Sequence, residues 1–294
     1  MAAVDTDRPT STVERPARHR RRRRPPRPGT IAVGVVAWAV GLVFFFPVLW
    51  MFLTGFKQES QASTDPPTIF FTPTLDQYRA ILGRDFLPYF GNSLIASVLS
   101  IVLVLLLATP AAYALSVRPV VRWQDSLFFF LSTRMMPAVA TILPLYIIAR
   151  DLNVLDNVTF LALIYTAMNL PIAVWMIRSF LLELPKEVLE AARVDGASLP
   201  VEMRRVILPM IAPGLAATAL ICFIFAWNEF FFAVSLTAFR AATVPVFLVG
   251  FITQEGLFWA RLSAAATLAV LPVLIAGWTA QKWLVRGLSL GAVK

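Results

Sequence analysis

One cysteine and one histidine are all that the 294 residues contain. A lone Cys222 excludes an intrachain disulfide and any cysteine-built zinc site. His19 sits inside a run of arginines, which argues against histidine catalysis and against a histidine-ligated metal. Charge is scarce too: 15% of residues are Asp, Glu, Lys or Arg against 58% hydrophobic, too apolar a balance for a water-soluble chain of this length. The net charge of +9 is concentrated before Thr30 rather than on a folded face, so nucleic acid is not an expected partner.

In place of charge the chain has long apolar runs. A bilayer core of roughly 30 Å asks for about 20 apolar residues in a helix, because hydrocarbon offers no partner to an open backbone N–H or C=O. Spans are expected at 31–56, 90–117, 124–149, 158–181, 207–239 and 260–283. The expected fold class is all-α, one membrane domain over 30–294 behind a basic, disordered tail over 1–29. Lysine and arginine mark cytoplasmic connections. The tail HRRRRRPPRP, Arg118 and Arg122, the loop 183–205, and Lys282, Arg286 and Lys294 then lie inside, which places both termini in the cytoplasm. The outer segments hold only Lys57, Arg79, Arg84, Arg150 and Arg240. The first run exceeds a signal-peptide core and no small-residue cleavage pattern follows at 50–55, so an uncleaved span is expected. The tail reads first as a topology determinant, with a grip on anionic membrane lipid as the alternative. The outer segment 57–86 is rich in turn residues, with a short amphipathic helix expected at 75–82.

The loop LPKEVLEAARVDGASLPVEMRRVILP reads as two short helices around a break. Pro185 suits a first helical turn, Gly196 can end that helix in the left-handed conformation, and Ser198 can cap the next. Ala191, Ala192 and Ala197 keep the surface thin, as a docking knob for another protein requires. An amphipathic segment lying along the lipid headgroups has the same pattern, and on pattern alone both readings stand.

The segment EAARVDGASLPVEMRRVILP resembles the loop signature of ABC importer permeases: EAA, three residues, Gly, nine residues, an aliphatic position, one residue, then LP. Glu190, Ala191, Ala192, Gly196, Leu208 and Pro209 match it, Asp195 stands beside the glycine, and Val206 takes a place where isoleucine is usual. The resemblance extends over the chain after the tail. The ending LVRGLSLGAVK resembles the carbohydrate-uptake branch, and LSTRMMPAVATILPLYIIARDLNVLDN resembles its mannitol and sorbitol members. It implies six spans with a coupling loop between the fourth and fifth, in a bacterial cytoplasmic membrane. It also implies partners: a second permease subunit, two cytoplasmic ATPase subunits that seat the loop, and an extracytoplasmic substrate-binding protein. No G-x-x-x-x-G-K-[ST] loop is present, so ATP and Mg are expected on the partner ATPases and no cofactor on this chain. This chain's implied role is half of the pathway plus mechanical coupling, not catalysis.

Near mid-membrane the charged residues are Arg134 and Glu229. Counting from Trp123, eleven residues of straight helix rise about 16 Å, which puts Thr133 and Arg134 at the bilayer middle. An intramembrane guanidinium is a functional candidate by default and can donate to polyol hydroxyls; an ion pair with Glu229 is the competing reading. Trp227, Asn228 and Glu229 in the fifth span offer an aromatic face beside donors and acceptors, as sugar sites do. Asn169 beside Pro171 reads as a helix distortion, and Met135 and Met136 as packing. Two charged residues fall short of the convergent groups a membrane enzyme needs. A proton-coupled carrier using Glu229, and an ABC importer of a non-carbohydrate solute, are the alternatives to a sugar or polyol importer.

Overall fold

The computed structural model describes residues 28–83, 86–253 and 256–290. In chain order α1 is Pro28–Thr54, α2 Glu59–Ala62, α3 Asp76–Leu82, α4 Phe86–Ala114, α5 Trp123–Arg134, α6 Ala138–Asp151 and α7 Val158–Leu182. There follow α8 Lys186–Val194, α9 Leu199–Val201, a π-helical stretch Glu202–Ile207, α10 Leu208–Trp227, α11 Phe231–Leu236, α12 Val244–Val249 and α13 Trp259–Leu290. A two-residue antiparallel ladder, β1 Ile252–Thr253 with β2 Gly256–Leu257, is a turn between α12 and α13. The tail expected over 1–29 lies outside the described residues except for its last two, which already belong to α1.

The chain divides into two compact units at Pro47 and Val48. The first contributes most of α1, an apolar helix without a charged residue. In the second, α4 packs along α7, and α10 lies against α4, α7 and α13. These helices approach closely because their contact faces are small: Ala96, Ala108, Ala112, Ala162 and Ala173 are all fully buried.

Among the described residues five continuous helices are long and apolar enough to cross a bilayer: 32–54, 86–114, 158–182, 199–227 and 259–282. The straight span expected at 124–149 is not one of them, because α5 and α6 meet at a bend of 89°. Pro137 has no N–H, and its ring disfavours helical backbone at Met136, so α5 ends at Arg134 and α6 restarts behind an extended Pro137. The expected fifth span over 207–239 also divides. Its helix begins earlier, at Leu199, and stops at Trp227, where the Asn228 side chain donates to the Ile224 carbonyl (2.8 Å) and satisfies one of the end's open acceptors.

The helix expected at 75–82 is α3. The segment before it clamps the last span: Glu59 accepts from the N–H groups of Ala260 (3.0 Å) and Arg261 (3.3 Å) at the start of α13. Lys57 is buried beside it, donating to the Thr68 carbonyl (2.7 Å) with its ammonium 4.1 Å from the Trp50 ring centre.

Candidate functional site: the α7–α10 loop and the broken span

Pro185 stands at the N-cap of α8, one residue before the helix. One face of α8 is apolar and seats Leu189 in the bundle, while Glu187, Glu190 and Val194 face outward. The helix closes as sequence and geometry require: the Ala197 N–H donates to the Ala192 carbonyl and the Gly196 N–H to the Arg193 carbonyl, both at 3.0 Å. This double closure needs a left-handed residue at its turn, and Gly196 has φ +76°. Ser198 is extended at the next N-cap, yet its side chain makes no capping hydrogen bond. Leu208 and Pro209 open α10. Glu190 lines a cleft of about 160 Å³ with Lys186, Arg193 and Ser116, between α8 and the adjoining ends of α4 and α7. Ala191, Asp195 and Gly196 are exposed and Ala192 half-buried, so the loop presents a thin, small-residue surface.

Sequence reasoning missed the loop's buried charge. Glu202, the first π-helical residue, is completely buried. Its carboxylate accepts from Arg193 Nη2 (3.1 Å), Tyr113 Oη (3.2 Å) and Arg118 Nη2 (3.3 Å). A buried carboxylate is tolerated only with such partners, and they come from α8 and from the end of α4.

At the bend, Thr133 is exposed and its hydroxyl donates back to the Phe130 carbonyl (2.7 Å). Arg134, on the last turn of α5, donates to the Met168 carbonyl of α7 (2.7 Å) and lies 5.1 Å from the Phe225 ring centre of α10. Depth counted along a straight helix therefore does not extend past it. No ion pair joins Arg134 to Glu229 among the described residues. Glu229 instead caps α11, accepting from Phe232 (2.9 Å) and Ala233 (3.1 Å) N–H groups. Trp227 is buried, with its indole donating to the Ala269 carbonyl of α13 (3.0 Å) and its ring stacked on Phe223. Asn228 is exposed. Asn169 is fully buried, its amide donating to the Cys222 carbonyl (3.4 Å), which ties α7 to α10.

At the end of the bundle away from the loop, Asp156 was equally invisible in sequence. Its carboxylate accepts from four consecutive N–H groups, Ala238 (2.9 Å), Phe239 (3.1 Å), Arg240 (3.0 Å) and Ala241 (2.9 Å). Burial pushes this carboxyl up, and the four donors outweigh it and bring it to about 2. Asn92 holds the same turn from α4, donating to the Arg240 (2.8 Å) and Ala242 (3.0 Å) carbonyls.

Residues 105–290, which include the loop and the broken span, match the family model of the binding-protein-dependent transport system inner membrane component. The chain belongs to this family. It is a multi-pass permease of the ABC-transporter class, a non-catalytic membrane subunit. This permease is 36% identical over 266 residues to the diacetylchitobiose uptake system permease protein DasC of Streptomyces coelicolor, covering 89% of this chain and 95% of that one. It is 32% identical over 272 residues to the trehalose/maltose transport system permease protein MalG of Thermococcus litoralis, covering 90% and 96%. Its fold is shared with a crystal structure of a bacterial ABC transporter involved in the import of the acidic polysaccharide alginate, with TM-score 0.71, 24% identity, and coverage of 86% of this chain and 95% of that one.

Proposed function

We propose that this permease forms half of the translocation pathway of an importer for a sugar or polyol, and that the loop 183–209 couples it to cytoplasmic ATPase subunits. The observation that carries the reading is the exposed turn at Gly196, whose EAA-type residues belong to a chain with relatives named for diacetylchitobiose and trehalose/maltose transport. Val194 beside the turn is 87% exposed, as suits an apolar contact for a partner. On this reading Glu190, Ala191, Ala192, Asp195, Gly196, Leu208 and Pro209 shape the coupling element. The loop and both termini lie in the cytoplasm, a second permease completes the pore, and an extracytoplasmic binding protein delivers the solute. ATP and Mg are held by the ATPase subunits, whose closure tilts the helices between two packings. Mannitol and sorbitol are the first polyols to try.

Polar pathway groups are proposed at the bend, where Arg134 and Thr133 are exposed, with Asn228 and Glu229 at the second break and Trp227 packing behind them. The test is competition for uptake by vesicles holding the assembled complex, with disaccharides, hexitols, amino acids and peptides as competitors. Competition by a carbohydrate or polyol alone supports the reading, and competition by an amino acid or peptide alone rejects it. A hydrogen bond from a charged donor is worth about 1.5–3 kcal/mol, so Arg134→Ala is expected to lower uptake roughly ten-fold or more at unchanged complex yield. Loss of assembly would instead make Arg134 a structural tie between α5 and α7.

A further inference from the structure

We propose that Glu202 is a positioning residue that locks the coupling helix α8 to the span α4, so that a push on the loop reaches the bundle through a second, non-covalent route. The inference rests on the proposed coupling role of the loop and assigns how that loop grips the permease.

The covalent route is plain: α8 leads through Gly196 and α9 into the π-helical stretch and α10. That route passes through a single glycine turn at Gly196, with φ +76° and nothing within 4 Å of an added Cβ. A displacement of α8 delivered along the chain alone reaches α10 only through that turn. Glu202 bypasses the turn. Oε1 accepts from Arg193 Nη2 on α8 (3.1 Å) and from the Tyr113 hydroxyl on α4 (3.2 Å). Oε2 accepts from Arg193 Nε (3.4 Å) and from Arg118 Nη2 just beyond α4 (3.3 Å).

Several directional, charge-assisted bonds on one buried carboxylate define a geometry that apolar contact alone does not. The π-helical winding over 202–207 places this carboxylate where those donors meet; such irregular turns recur at functional positions. From α4 the linkage continues. Arg178 of α7 donates to the Leu115 carbonyl (3.1 Å) and lies 4.4 Å from the Trp123 ring centre at the start of α5. The joint thus connects α8 with the three helices α4, α7 and α5, the last of which ends at the bend carrying Arg134.

The test uses the complete complex in proteoliposomes, measuring ATP hydrolysis and solute uptake in the same preparation. Glu202→Gln keeps the volume and removes the charge; Arg118→Gln removes the charged donor on the α4 side and leaves the Tyr113 hydroxyl in place. Both are expected to assemble with a normal amount of ATPase subunit and to hydrolyse ATP, while uptake per ATP falls about five-fold or more, the scale on which network residues alter coupling. Glu202→Asp should recover part of that ratio. A merely structural residue would lower complex yield, hydrolysis and uptake together and leave the ratio unchanged, and that result overturns the proposal, as does a wild-type ratio in both variants. A wild-type complex with no ATPase subunit attached would overturn the coupling role itself and this joint with it.

Discussion

Gly196→Asp is expected to leave the permease folded in the membrane and to abolish uptake. The backbone there has φ +76°, which costs a residue with a side chain on the order of 1 kcal/mol, against a total stability of about 5–15 kcal/mol. A Cβ added at Gly196 meets nothing within 4 Å, so no internal clash adds to the strain. The damage falls outside the chain, where a second carboxylate beside Asp195 adds bulk and charge to the proposed ATPase contact. Interface groups whose loss or intrusion disrupts a docked contact change affinity by about 2–5 kcal/mol, so roughly 100-fold weaker ATPase association is expected. Normal membrane levels with no ATPase subunit on the purified variant is the predicted outcome. Gly196→Ala, which keeps the strain and omits the charge, should retain much of the activity. Full uptake by the aspartate variant would return the loop to a headgroup-lying segment.

Gly214→Leu should fail in the opposite way, by losing the protein. A Cβ on Gly214 of α10 runs into Phe180 Cγ, the near end of a ring held on α7. The ring cannot swing clear from its root, so the helices must part along a contact built from small residues. Overpacking of this kind costs about 1–3 kcal/mol for a few methylenes, and a leucine exceeds that. Membrane levels and complex yield are expected to fall together, and Phe180→Ala in the same chain should restore part of both, since the two positions share one contact. Equal losses with and without Phe180→Ala would show that the crossing of α7 and α10 does not limit assembly.

These residues differ in how far the sequence exposes them. The conformation of Gly196 follows from a helix pattern ending at a glycine, because local chain geometry allows few other closures. The spans around α4, α7 and α13 follow from apolar length, which hydrocarbon enforces without reference to partners. Pro137 was visible, but a run of apolar length reads as a straight crossing unless the break is weighed above it; the 89° bend follows from Met136 and Pro137 together. Glu202 read as one more charge in a polar loop, and its burial depends on Tyr113 and Arg118, 89 and 84 residues away. Asp156 likewise finds its donors more than eighty residues on, at Ala238 to Ala241. Glu229 looked like a partner for Arg134, yet two backbone N–H groups of the following helix satisfy it locally.

The most direct test of the whole account is the energy source of transport. Right-side-out proteoliposomes holding this permease with the proposed partner permease and ATPase subunits, and with the proposed binding protein and labelled solute outside, should accumulate solute only when ATP and Mg are trapped inside, and should continue when a protonophore collapses the proton gradient. Accumulation that ignores ATP and stops with the protonophore would contradict the account.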